Sequence, residues 1–252
     1  MATMTLKPKT NTAAPVAAAE PEVETKQLAV AEDTTLATPS SPLSAGVGVE
    51  GEITQEDIVT PRINLVQKSG QLVDNYAPGT FLFEKLYVVA EPAKSFYFVP
   101  LRLKKYYQEK LEYGVQGVPR KCSTAAEVRA LGGTTDYDLK DELPYFQDVA
   151  DILLAVQCPE NIDEEAAEHF PYNDGEHNYG LAIYTVASSA YTSLGKRLLT
   201  DSAILLKGGL FTGKYEVHSE IRKNEKNSWH VPVAKFAGKN SNPEFFKSLA
   251  GL

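Results

Sequence analysis

Cysteine is scarce: Cys122 and Cys158 are the two in 252 residues, and neither belongs to a Cys-x-x-Cys or a Cys/His pair. That excludes a disulfide scaffold and a recognisable zinc finger. No apolar run approaches the ~20 residues that cross a bilayer as a helix, which excludes an integral membrane protein. The N-terminus lacks a charged-then-apolar leader, since the small residues at 13–19 are interrupted. A reducing, cytoplasmic setting is the expectation. Aromatic residues are missing before Tyr76, and residues 1–52 are mostly Ala, Pro, Thr, Glu and Val without a helical or strand period. Such a segment buries too little apolar surface to offset its ordering entropy, so 1–52 reads as a disordered tail.

Positive charge is nearly absent from 122–180, where Arg129 and Lys140 stand against 14 acids. The whole chain carries a net −8, which argues against a generic polyanion binder. The average conceals segregation, because residues 53–121 carry a net +3 and residues 181–252 a net +5. A basic face and an acidic lobe on one molecule follow.

What is present from residue 53 onward is a series of strand patterns: 62–67, 80–89, 95–103 with 104–113 continuing it or turning back, 149–157, 179–187, 214–222 and 228–236. Pro92 and Pro100 limit how deep the nearby strands lie. Residues 114–148 are loop-like apart from a helix candidate at 125–131, and an acidic stretch follows at 159–178. Ser188 or Ser189 is placed to cap a helix reaching about 199, and Asn242 with Pro243 to open a closing helix. The last strands form a hairpin whose turn, centred near Glu225, sets Ile221 against Trp229 and Val217 against Val233. Regular βα alternation is missing. The expected fold is β-rich α+β: one domain over 53–252 with an acidic insertion around 122–178, built as an antiparallel curved sheet or OB-like barrel with a few peripheral helices.

Four patterns invite a chemical reading. Gly208–Lys214 fits P-loop spacing up to its lysine, but Tyr215 stands where Ser or Thr is needed and a strand follows where a helix should. Ser193–Lys196 matches the S-x-x-K of serine acyl-enzymes without their other motifs, so both read as surface helix residues. His169, Asp174, Glu176 and His177 are close in sequence but lie in a loop without H-E-x-x-H spacing, and a solvated acidic loop is the default. His218 and His230 are expected on one face of the hairpin, opposite Trp229, with no nucleophile in context. No metal, cofactor or catalytic set is assigned, and the chain does not read as an enzyme.

The remaining signal is aromatic rings interleaved with bases. Alternation places Lys104 and Tyr106 on one face, and Lys105 and Tyr107 on the other. The hairpin adds Tyr215, Arg222, Lys223 and Lys226. Single-stranded nucleic acid is held by this mixture, cations tracking phosphates and rings stacking on bases at ~1–3 kcal/mol each. The face expected for Trp229 also carries Val217, Ile221, Val231 and Val233, which favours its burial. Tyr106, Tyr107 and Tyr215 are therefore the expected stackers, with Lys104, Lys105, Arg222, Lys223 and Lys226 on phosphate.

Val59-Thr-Pro-Arg-Ile-Asn-Leu-Val-Gln67, Pro78-Gly79-Thr80-Phe81 and Phe98-Val99-Pro100 resemble the successive motifs of a group of bacteriophage proteins. Ser188-Ser-Ala-Tyr-Thr-Ser-Leu-Gly-Lys196 and Asn227-Ser-Trp-His-Val-Pro232 are similar to its later stretches, so the likeness spans about 53–236. It implies a DNA-metabolism factor of single-stranded DNA-binding character, acting in replication or recombination in the host cytoplasm. Its partners would be single-stranded DNA, replication or recombination proteins, and further copies of itself. Some members carry a Cys-rich zinc insert; here that region is acidic, and no zinc is carried over. The acidic tail common in phage single-stranded DNA-binding proteins is absent from the end Phe245-Phe-Lys-Ser-Leu-Ala-Gly-Leu252. The alternative is a virion component or host-factor-binding protein that uses its acidic lobe.

Overall fold

The computed structural model describes residues 59–111, 115 and 117–251; the tail expected at 1–52 lies outside them. Among the described residues, ten strands form two antiparallel sheets. The smaller orders β1 (Ile63–Leu65), β2 (Phe81–Phe83) and β3 (Tyr87–Ala90) side by side. The larger contains β4 (Ser95–Glu109), β5 (Lys121–Cys122), β6 (Phe146–Gln157), β7 (Tyr172–Asn173), β8 (Asn178–Ala187), β9 (Gly213–Lys223) and β10 (Ser228–Lys239). Its order is β10-β9-β4-β6-β8-β7, with β5 beside the far end of β4. The β-rich antiparallel architecture is the one the strand patterns called for.

The stretch 80–89, expected as one strand, is a hairpin. Glu84 and Lys85 both take positive φ, and the Leu86 N–H donates to the Phe83 carbonyl, closing a tight turn whose twist suits paired strands. By contrast, 95–109 is a single strand straight through Pro100. A bulge between Pro100 and Arg102 absorbs the proline's missing donor. Phe96 and Phe98 before the bulge face the small sheet, while Val99 and Leu101 face the other way.

The main core lies between the inner face of the large sheet and the small sheet. Phe81 meets Phe96 edge-on at 5.1 Å and Tyr184 at 6.4 Å, joining β2 to β4 and β8. A helical stretch closes one end of this core. It runs as α3 (Ser188–Ala190), a π-turn (Tyr191–Gly195) and α4 (Lys196–Ile204), burying Tyr191, Leu194 and Leu198. Two shorter helices, α1 (Ala125–Ala130) and α2 (Glu164–Ala167), are capped by Thr124 and Asp163. The last helix, α5 (Pro243–Ala250), opens at Asn242, whose side chain accepts from the Phe245 N–H. It lays Phe246 and Leu249 on Val99, Leu101, Ala155 and Tyr179 of the outer sheet face. Among the described residues, no helix is long and apolar enough to cross a membrane.

The segment 61–67, which carries β1, is fastened to β8 and to the edge strand β10 of the large sheet. The Ile183 N–H donates to the Pro61 carbonyl on β8, while Gln67 gives and receives a hydrogen bond with the His230 backbone on β10 at 3.1 and 3.0 Å. The same segment thus satisfies backbone groups of β8 and β10 that would otherwise be exposed.

The hairpin register differs by one residue from the expected one. Ser228 pairs with Lys223, so Trp229 opposes Arg222 and His230 opposes Ile221. The cause is a four-residue loop in which the Asn224 side-chain oxygen accepts from the N–H groups of Lys226 and Asn227. A one-residue slip exchanges the faces. Val217 and Ile221 therefore leave Trp229's face, and the two histidines separate. His218 pairs with Glu220 at 3.1 Å, whereas His230 is buried with its ring against Gly79. Gly79 has φ +95°, and a Cβ there would stand 2.8 Å from the imidazole, so glycine is required.

Burial, with a smaller contribution from Lys68, lowers the His230 pKa below its ordinary value. The unfolded chain takes up a proton as pH falls through about 6.5, whereas the folded imidazole resists it until lower pH. Stability is therefore present above that value and declines below it. The thermal midpoint should fall further between pH 7.5 and 5.5 in the native protein than in His230→Gln; equal falls in the two would remove His230 as the cause.

Candidate nucleic-acid interface

The register separates the β4 residues as alternation requires. Lys104 opposes Asp151 and shares the outer face with Tyr106, whereas Lys105 and Tyr107 share the inner face. Lys105 reaches Asp148 at 2.9 Å and lies 4.7 Å from the Tyr107 ring centre and 5.7 Å from that of Tyr191. Burial works to lower the Lys105 pKa, but hydrogen bonds from its ammonium to Asp148 and Tyr107 outweigh it and the pKa is raised. Lys105 is a firmly held cation.

Tyr191 is positioned by the π-turn. Its ring lies over Gly195, where a Cβ would stand 2.7 Å from the ring. The helical stretch leading into the turn begins at a strained point, since Ser188, the first residue of α3, has φ +51°. Neither Ser188 nor Ser189 caps the helix as expected. The Ser188 hydroxyl donates to Gln147, and the Ser189 hydroxyl accepts from the Trp229 indole N–H at 2.9 Å. Ser193 anchors the same turn to β10 by donating to the Pro232 carbonyl at 2.7 Å, with the Ser189 and Ala190 carbonyls also in reach. The S-x-x-K serine is thus engaged with main-chain oxygens.

Trp229 is half-buried, shares a face with Arg222 across the hairpin, and follows Ser228, which accepts from Lys68 at 2.7 Å. Lys105 thus lies near the Tyr107 and Tyr191 rings, Ser189 two residues before Tyr191 holds the Trp229 indole, and Arg222 is the strand partner of Trp229. This rim unites two flanks more than a hundred residues apart. Lys223 and Lys226 are exposed at the hairpin tip beside it.

Two expected stackers are placed elsewhere. Tyr215 is fully buried; its ring stacks on Phe98 at 5.7 Å and its hydroxyl donates to buried Asp201 at 3.2 Å. A ring enclosed by core offers no free face. Tyr106 is 6% exposed, with the Lys121 ammonium 5.1 Å from its ring centre. Burial and then Asp151 push its pKa up to about 12. Only Tyr107 of the three remains partly open.

The other patterns resolve into structure. Gly208–Lys214 leads directly into β9, as its strand-like continuation required. His169 contacts the Tyr87 hydroxyl at 3.0 Å and Glu84 at 3.5 Å. Asp174 instead holds its own loop, accepting from the N–H groups of Glu176 and His177 and from the Tyr179 hydroxyl. No group of three or more potential metal ligands occurs among the described residues. The acidic 122–178 region is divided, because β6 runs through it as a central core strand.

Pattern reading overlooked Tyr191, Ser189 and Lys68. The first two lie inside a motif already singled out, while nothing local marks Lys68. Comparison with protein-family models, curated proteins and solved structures gives no match.

Trp229 is the single tryptophan, so emission excited selectively at tryptophan reports on this rim. Replacing Ser189 with alanine removes the indole's acceptor and should make the emission more accessible to acrylamide, with unchanged far-ultraviolet circular dichroism. An unaltered quenching constant would show that this hydrogen bond does not hold the indole.

Proposed function

We propose that this chain is a non-enzymatic, sequence-tolerant single-stranded DNA-binding protein that uses the rim around Trp229. The observation that carries the reading is the Trp229–Ser189 hydrogen bond, which ties the hairpin strand paired through Arg222 to the helical stretch whose Tyr191 lies near Lys105. It places a half-buried indole and a phenol among held and exposed cations, the mixture that binds unpaired strands. Arg222, Lys223, Lys226 and Lys68 supply phosphate contacts, while Lys105 is a fixed charge behind them. The phage resemblance supports a role in replication or recombination, and two of its motifs, 188–196 and 227–232, are the ones joined at the rim.

A second reading, protein binding, draws on Glu84, Asp163, Glu165 and Glu168, which two separate segments bring close enough to Tyr87 to help raise its pKa, after burial. Recovery of capsid or tail proteins in a nuclease-resistant pull-down would favour it over DNA.

Titration with labelled oligothymidine should raise anisotropy and quench Trp229 emission together, most strongly at low salt. In Arg222→Ala/Lys223→Ala/Lys226→Ala the salt slope should fall by about 0.7 per lost phosphate contact. No binding at low salt would end the proposal.

A further inference from the structure

The outer face of the large sheet is divided. Under α5 it is apolar, with Val99, Leu101 and Ala155 covered. Beyond α5 it is polar and open. Lys104, Asp151 and Thr185 are direct register partners across β4, β6 and β8, forming one row perpendicular to the strands. Arg62 flanks the row by bridging Ile183, the register partner of Leu153 and through it of Arg102, and Lys121 flanks it from the other side, paired with Gln108 on β4 and set over the Tyr106 ring. Arg102 stands beside it, donating to the Ala250 carbonyl at the end of α5.

The charges here are uncommitted. Lys94, Lys105, Arg120, Lys140, Arg197 and Lys247 each pair with a carboxylate. Among the described residues, Arg62, Arg102, Lys104 and Lys121 form no ion pair within 4 Å. The carboxylate among them, Asp151, is held by the Thr185 hydroxyl at 2.6 Å and the Tyr106 hydroxyl at 3.4 Å on the same oxygen. Unpaired cations on an open sheet face attract a polyanion, and the fixed carboxylate among them weakens that attraction.

We infer that this half-face is a second phosphodiester-binding surface, onto which a DNA strand engaged at the rim continues. The inference rests on the reading of the rim as a single-stranded DNA site. Among the described residues β4 pairs on one side with β9 only at 95–98 and with β5 only at 107–108, so Lys104 and Lys105, on opposite faces, stand at a strand edge around which the two surfaces meet. Among the described residues of this half-face the aromatic ring is that of Tyr106, and it is buried beneath Lys121. The outer surface contacts phosphate alone and is indifferent to base identity. Asp151 tempers its affinity.

Oligothymidines of two lengths test this, about 8 nucleotides to occupy the rim and about 30 to reach both surfaces. Lys104→Ala/Lys121→Ala should weaken the long strand about tenfold at low salt and reduce its salt slope by about 1.4. The short strand should change by less than twofold. Asp151→Asn keeps an acceptor for Thr185 and removes the charge, so it should tighten the long strand several-fold with an unchanged melting midpoint. Equal losses at both lengths, or long-strand binding unaltered or weakened in Asp151→Asn, would overturn the second surface. Failure of the native protein to bind either length would instead overturn the rim reading itself.

Discussion

A strand of 15 residues that pairs with three partners cannot keep one face buried throughout, least of all with a proline in its middle. Strand β4 meets this constraint by handing its pairing from β9 to β6 around Phe98 and by bulging at Pro100. Before the bulge Phe96 and Phe98 face the small sheet, while Val99 is buried on the other face under α5. After it, the strand runs outward as a polar ribbon with Lys104 and Tyr106 on one face, Lys105 and Tyr107 on the other. Core, rim and outer polar face all take their positions from this transition.

Side-chain hydrogen bonds to distant backbone complete the rim. Gln67 fastens the first strand to β10, and Ser193 fastens the π-turn to the same strand. Each such bond contributes modestly, on the order of 1 kcal/mol, but an unmet buried partner is costlier than the bond is stabilising. A π-turn is an irregular choice for a helix, and here it sets Tyr191 over Gly195 and toward Lys105. The irregularity and the positive φ of Ser188 fall where the two basic flanks converge.

Charge follows a similar division of labour. Five of the 14 carboxylates in the acidic middle of the chain have local tasks: Asp163 and Asp136 cap short helical turns, Asp174 folds its loop, and Asp148 and Asp151 restrain β4 side chains from β6. A net negative protein therefore keeps cations exposed at the hairpin tip and on the outer sheet face.

The β-rich class, the closing helix at Asn242, the alternation of residues 104–107 and the strand after Gly208–Lys214 were legible in sequence. Each depends on a period of two or on the chemistry of a few adjacent residues. The division of 80–89 into a hairpin, the register of β9 with β10 and the burial of Tyr215 were not. An Asn224 side chain shortening a loop by one residue inverts every face beyond it, and a tyrosine in a strand is stacker or core according to what lies across the sheet. Linear order determined which residues are basic, aromatic or strand-forming. Tertiary structure decided which of them share a surface, because that depends on hydrogen bonds between residues, such as Ser189 and Trp229, that composition and spacing do not relate.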